Sequence, residues 1–173
     1  KTDGSQFDLL FKDQKVIQIG SLNVKVVNTP GHTPACASFL IDDSLFTGDA
    51  LFMPDYGTGR CDFPAGSAED LYHSIANKLY SLPNSTKIYV GHDYQPNGRE
   101  LKWQSTIGES KEKNIQLTAS TTKEDYIKFR NDRDATLNAP KLLLQSVQVN
   151  INAGTLPDTE ENGISYLKIP VRT

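Results

Sequence analysis

The 173 residues contain only two cysteines, three histidines, one methionine and one tryptophan. Cys36 and Cys61 are too few for a disulfide framework and form no C-x-x-C pair. One bridge between them stays open, but a reduced, cytoplasmic protein is the expectation. No charged-then-apolar leader opens the sequence, which points the same way. No run approaches the roughly 18 apolar residues that a membrane span needs. Positive charge is not in excess: 18 Lys and Arg stand against 21 Asp and Glu, for a net charge of −3. With no basic block or stripe, neither a nucleic-acid backbone nor a membrane is an expected partner. Twelve glycines and nine prolines exclude collagen-like and low-complexity chains. With 37% hydrophobic residues, the length suits one domain with a real core.

The pattern along the chain reads as alternating strands and helices, an α/β layered domain. Val16 to Ile19 and Leu22 to Val27 flank Gly20-Ser21 and predict a hairpin with Val24 and Val26 on one face. Ala37 to Ile41, Ser44 to Thr47 and Lys87 to Val90 read as further strands. Ser67 caps a predicted helix whose Leu71, Ile75, Leu79 and Leu82 form one buried stripe. Residues 53–66 form a long Gly- and Pro-containing loop, a kind that is usually functional or disordered. Glu100 to Asn114 and Lys123 to Asp134 are expected to be helical, the second capped by Thr121 or Thr122. Val147 to Ile151 reads as a weak strand, and the tail to Thr173 as loop.

Chemistry concentrates at strand ends. His32 and His92 each follow an apolar β run and a glycine, and Asp49 follows Leu45-Phe46-Thr47-Gly48 in the same way. Sheets gather such positions along one edge, where α/β proteins place their ligands. Two histidines and a carboxylate suit zinc or non-haem iron. Singly, each is an ordinary loop or turn residue; the conjunction carries the reading. His73 lies off the Leu71/Ile75 stripe and reads as a surface histidine. Cys61 has no partner histidine or basic helix start, and reads as inert.

Three motifs carry a family resemblance: Thr29-Pro-Gly-His32-Thr33, Thr47-Gly-Asp49-Ala50-Leu51-Phe52 and Gly91-His92-Asp93-Tyr94. Together they resemble the later metal-binding motifs of the metallo-β-lactamase superfamily. Gly59-Arg60-Cys61-Asp62-Phe63, the helix after it and Lys141 to Gly154 are similar to the persulfide dioxygenase branch, itself close to glyoxalase II. The resemblance spans roughly residues 7 to 170 and implies the C-terminal portion of a four-layer αββα sandwich. It implies His32 and Asp49 as ligands of one Fe(II) in the dioxygenases. In the hydrolases it implies two zinc ions, bridged by Asp49, with His92 on the second. Arg60 would hold the carboxylate of a glutathione-like thiol, its planar fork suiting that group. Tyr94 would line the pocket, and Asp62 would orient either Arg60 or a metal-bound histidine from behind. No further catalytic side chain is implied.

One family motif, H-x-H-x-D-H, has no counterpart, because the three histidines are 41 and 19 residues apart. The expectation is therefore a single domain over 1–173, truncated at its N-terminus, with an incomplete metal site. A missing N-terminal half or a partner chain would cover its open face, with a homo-oligomer as the alternative. For the intact protein the leading expectation is a non-haem iron dioxygenase acting on a small thiol persulfide. A dinuclear zinc hydrolase of thioesters or lactones is the runner-up, and a non-catalytic relic or interaction module is the third.

Overall fold

The computed structural model describes residues 3–169. The outermost residues of the expected 1–173 domain and of its loop-like tail lie outside that range. The chain divides into two compact units, Lys12–Leu137 and a smaller one of Lys1–Phe11 with Asn138–Thr173.

The larger unit is built on one six-stranded sheet: β1 (Val16–Ile19), β2 (Leu22–Asn28), β3 (Ala37–Ile41), β4 (Ser44–Phe46), β5 (Lys87–Tyr89) and β6 (Gln104–Thr106). The strands lie in sequence order, and every neighbouring pair is antiparallel except β4 and β5. A parallel pair needs a crossover. Helix α1 (Ala68–Tyr72) supplies it, continuing through His73–Leu79 as a wider, π-type helix.

Ser67 caps α1 through its hydroxyl, which accepts from the Asp70 amide at 3.1 Å. This satisfies one of the orphan donors of the first turn. Leu71, Ile75 and Leu79 are wholly buried, and Leu82 packs against them. They meet Leu45 and Ile88 from the sheet and Ile107 from α2 (Ile107–Lys113). Removing such side chains from water contributes about 1.5–3 kcal/mol each. Helix α3 (Lys123–Asp134) is capped by Thr122 and packs Tyr126 near Tyr72, ring centroids 5.9 Å apart.

The sheet's opposite face is apolar as well. Register aligns Val26, Phe39, Phe46, Tyr89 and Gln104 across five strands. Phe46 stacks on Tyr89 at 5.2 Å and is still 43% exposed.

Two expectations need correction. Glu100 to Asn114 is helical only from Ile107; Gln104–Thr106 instead pairs with β5 as the edge strand β6. Val147 to Ile151 is not a strand, because it completes helix α4 (Leu143–Ile151) of the smaller unit. There Gln148 bonds the Lys168 backbone twice at 2.8 Å, and Gln6 donates to the Ile151 carbonyl at 2.7 Å. No helix among the described residues is long and apolar enough to cross a membrane.

Candidate metal centre

The sheet itself explains why three distant residues meet. β2 and β4 are both antiparallel to β3, so they run in one direction, and β5 is parallel to β4. The carboxyl ends of all three strands therefore open on one edge. His32 follows β2, Asp49 follows β4 and His92 follows β5. The structure brings them together: His32 Nε2 lies 3.6 Å from Asp49 Oδ2, and His92 Nε2 lies 3.3 Å from Asp49 Oδ1.

His32 is oriented from behind. Its Nδ1 lies 2.6 Å from the Arg60 carbonyl. A carbonyl only accepts, so Nδ1 carries the proton in this contact and Nε2 is the nitrogen turned toward Asp49. This is the tautomer and the second contact that metal-binding histidines use. The Phe63 ring packs edge-on against His32 at 4.8 Å. Close approach of the 59–61 segment depends on glycine. A Cβ on Gly59 would stand 2.0 Å from the Asp49 carbonyl oxygen and 3.3 Å from His32 Nδ1.

Two donors sharing one zinc or iron stand roughly 3–3.5 Å apart. The His92–Asp49 pair has that spacing, the His32–Asp49 pair is slightly wider at 3.6 Å, and the two pairs use opposite carboxylate oxygens. Among the described residues, no group of three or more His, Cys, Asp or Glu side chains could hold a metal ion by itself. The donor chemistry therefore fits part of a metal site, with ligands still to be supplied.

Arg60 and Asp62 face each other as a fork, with Nε–Oδ1 at 2.6 Å and Nη2–Oδ2 at 2.5 Å. Asp62 thus lies against Arg60. The guanidinium also sits 5.4 Å from the Phe63 ring centroid. Tyr94 stacks on Tyr56 at 4.3 Å and meets Phe52 edge-on. Its ring is 5.9 Å from His92, and burial raises its hydroxyl pKa. His73 is on the surface beside Glu69 and Asn77, away from this edge. Both cysteines are free thiols, and burial pushes Cys61 up to about 12, too high for a nucleophile.

Sequence reasoning assigned no role to two supporting clusters. Arg99 holds Asp93 through two 2.7 Å bonds and also grips Asp55, joining the loop after Phe52 to the loop carrying His92 and Tyr94. The Arg99 bonds hold the Asp93 carboxyl down at about 2. Arg130 and Asp134 of α3 grip the 58–61 segment. Asp93 lies in the Gly91-His92-Asp93-Tyr94 motif; the Arg130–Asp134 pair is local to α3, but its hold on the 58–61 segment spans up to 73 residues and left no local signal.

The sequence profile of the metallo-beta-lactamase superfamily matches residues 2–92. The chain belongs to the metallo-beta-lactamase superfamily. Its α/β fold agrees: a crystal structure of ETHE1 from Myxococcus xanthus superposes with a TM-score of 0.78 at 34% identity, over 87% of this chain and 63% of that one. A protein named glyoxylase B2 from Dictyostelium discoideum is 57% identical over 98% of this chain and 58% of its own length. Persulfide dioxygenase ETHE1 from Bos taurus is 38% identical over 82% of this chain and 51% of its own. The chain thus spans little more than half the length of these two superfamily relatives.

Proposed function

We propose that the full-length protein is a metal-dependent enzyme that oxidises the outer sulfur of a small thiol persulfide of glutathione type, using iron(II). One observation carries this reading. A single segment, Gly59 to Phe63, orients His32 through the Arg60 carbonyl and packs both the His32 ring and the Arg60 guanidinium against Phe63. Likeness to the persulfide dioxygenases supports it.

His32, through its bare Nε2, and Asp49 would hold the iron, with the remaining ligands coming from outside these residues. The iron would supply the redox chemistry and open positions for sulfur and oxygen. The chain's own residues bind and orient. Arg60 holds the substrate carboxylate while Asp62 keeps the guanidinium plane in place. Phe52, Tyr56 and Tyr94 form an aromatic wall next to His92. Catalysis rests on positioning rather than on a side-chain acid or base.

A second reading has its own observation. Asp49 turns one oxygen to His32 and the other to His92, as a carboxylate bridging two metals would. That favours a dinuclear zinc hydrolase of thioesters or lactones, with His92 on the second ion. In either case we propose that chain beyond these 173 residues covers the Phe39–Phe46–Tyr89 face.

Metal analysis of anaerobically purified full-length protein, with oxygen uptake followed on glutathione persulfide, separates the readings. About one iron per chain with persulfide-dependent uptake is expected for the dioxygenase. Two zinc ions with thioester hydrolysis and no uptake would replace it with the hydrolase. A protein that retains no metal would be a non-catalytic interaction module.

A further inference from the structure

The buried pair Arg130–Asp134 lies on the far side of the segment that orients His32. Both belong to the last turns of α3, and their side chains are only 3% and 6% exposed. Arg130 Nη2 donates to Asp134 Oδ1 at 2.6 Å. The free oxygen of that carboxylate, Oδ2, accepts from the Cys61 amide at 2.7 Å. Arg130 Nη1 donates to the Thr58 carbonyl at 3.3 Å and to Gln116 Oε1 at 2.9 Å. Gln116 Oε1 in turn accepts from the Thr58 amide and hydroxyl, both at 2.9 Å, and the Thr58 hydroxyl meets the Tyr126 phenol at 2.8 Å. Thus Thr58 and Cys61, the two ends of a four-residue stretch, are fastened to α3. Between them the Arg60 carbonyl, opposite the Cys61 N–H across one peptide plane, accepts a hydrogen bond from His32 Nδ1.

A buried ion pair is costly unless its remaining hydrogen-bonding groups are used. Here they are used on the Thr58 and Cys61 backbone and on Gln116, except Arg130 Nε, which has no hydrogen-bond partner among the described residues. Stability alone is a weak reason for such a pair, because apolar residues of similar volume would serve as well or better. Fixing the 58–61 backbone is a task apolar residues cannot perform, since they offer neither the Thr58 carbonyl nor the Cys61 amide a partner.

We infer that Arg130 and Asp134 are positioning residues for the metal edge: they hold the Arg60 carbonyl where it locks His32 in the Nδ1–H tautomer. The ligand role of His32 rests on the function proposed above; the tautomer lock does not, so the two can fail separately.

The test reads the ring directly. In metal-stripped, 15N-labelled full-length protein at about pH 8, where an unperturbed imidazole is neutral, long-range proton–nitrogen correlation distinguishes Nδ1–H from Nε2–H. The His32 signal is assigned by its loss in His32→Gln. Wild type is expected to show Nδ1–H alone. Arg130→Met is expected to give a mixture of both tautomers. Arg130→Met/Asp134→Leu removes both charges, so it should keep the fold while giving the same mixture; it decides the matter if the single variant does not fold. Metal affinity of the double variant should fall by about 10-fold or more. An unchanged Nδ1–H pattern in the folded double variant would overturn the inference. Lost metal binding in His32→Ala is expected if His32 is a ligand; full retention there would remove the ligand role and leave the lock standing.

Discussion

Asp13 joins three stretches of chain at one carboxylate. It accepts from the Asn28 amide at 2.8 Å and from Lys78 Nζ at 2.9 Å, and Lys78 also donates to the Asn28 carbonyl at 2.7 Å. Burial alone would raise its pKa, but the Asn28 and Lys78 bonds outweigh that and hold it at about 2, against an ordinary 3.8. The folded state favours the charged form, so its stabilisation is complete above the ordinary value and is lost as pH falls toward 2. Asp13→Asn should therefore unfold at lower urea than wild type at neutral pH. The gap between the two midpoints should close between about pH 4 and pH 2; a gap independent of pH would contradict this assignment. At the proposed metal edge, Gly59→Ala forces a methyl against the Asp49 carbonyl. It should weaken metal binding by about 10- to 100-fold, measured by competition with a chelator, while leaving a cooperative thermal transition. Single residues of this kind were only partly legible. His32, Asp49 and His92 announced themselves by a repeated local context, a strand followed by glycine. Arg130, Asp134 and Arg99 did not: their carboxylate partners Asp134 and Asp93 are near in sequence, but their contacts with Thr58, Cys61 and Asp55 are set by the fold.

At the scale of the element, α1 shows how local and tertiary terms combine. Its start is local: Ser67→Ala removes one cap bond and should cost about 1 kcal/mol in chemical denaturation. Its place against the sheet is tertiary. Leu71 is wholly buried, and Leu71→Ala should cost roughly 3 kcal/mol or more by the same measurement. The loop before His32 runs so close to this helix that a Cβ on Gly31, at φ +140°, would lie 2.4 Å from the Leu71 backbone nitrogen. Gly31 thus couples α1 to the loop carrying His32. The stripe Leu71, Ile75, Leu79 was readable because spacings of four keep residues on one helical face, even where the helix widens after Tyr72. β6 was not readable. Its residues sit among good helix formers, and only the pairing with β5, fifteen or more residues earlier, makes them a strand. α4 failed in the opposite direction: its valines suggested β structure, but the backbone closes helical bonds instead.

For the whole molecule, the consequential feature is a sheet with a core on one face and an aromatic row on the other. Apolar surface of that kind promotes association. If further chain covers it, as proposed, Phe46→Glu should lower the thermal midpoint of the full-length protein by burying a charge. The same substitution in the isolated 173-residue chain should reduce its self-association in sedimentation. A full-length protein indifferent to Phe46→Glu would leave the face open to water. Legible from the sequence alone were the strands from Val16 to Tyr89, the helix capped by Ser67, a helix capped by Thr121 or Thr122, and the three candidate ligands. Those signals are local: alternation of period two, a helical stripe, and a glycine at a turn. That the three strand ends share one edge was set by the fold, because it depends on strand order and direction. The fold also decided that Asp49 stands between the histidines, and that a buried arginine–aspartate pair from α3 holds the backbone orienting His32. Each of these joins residues far apart in the chain, and such contacts are chosen by packing, which no short stretch of sequence records.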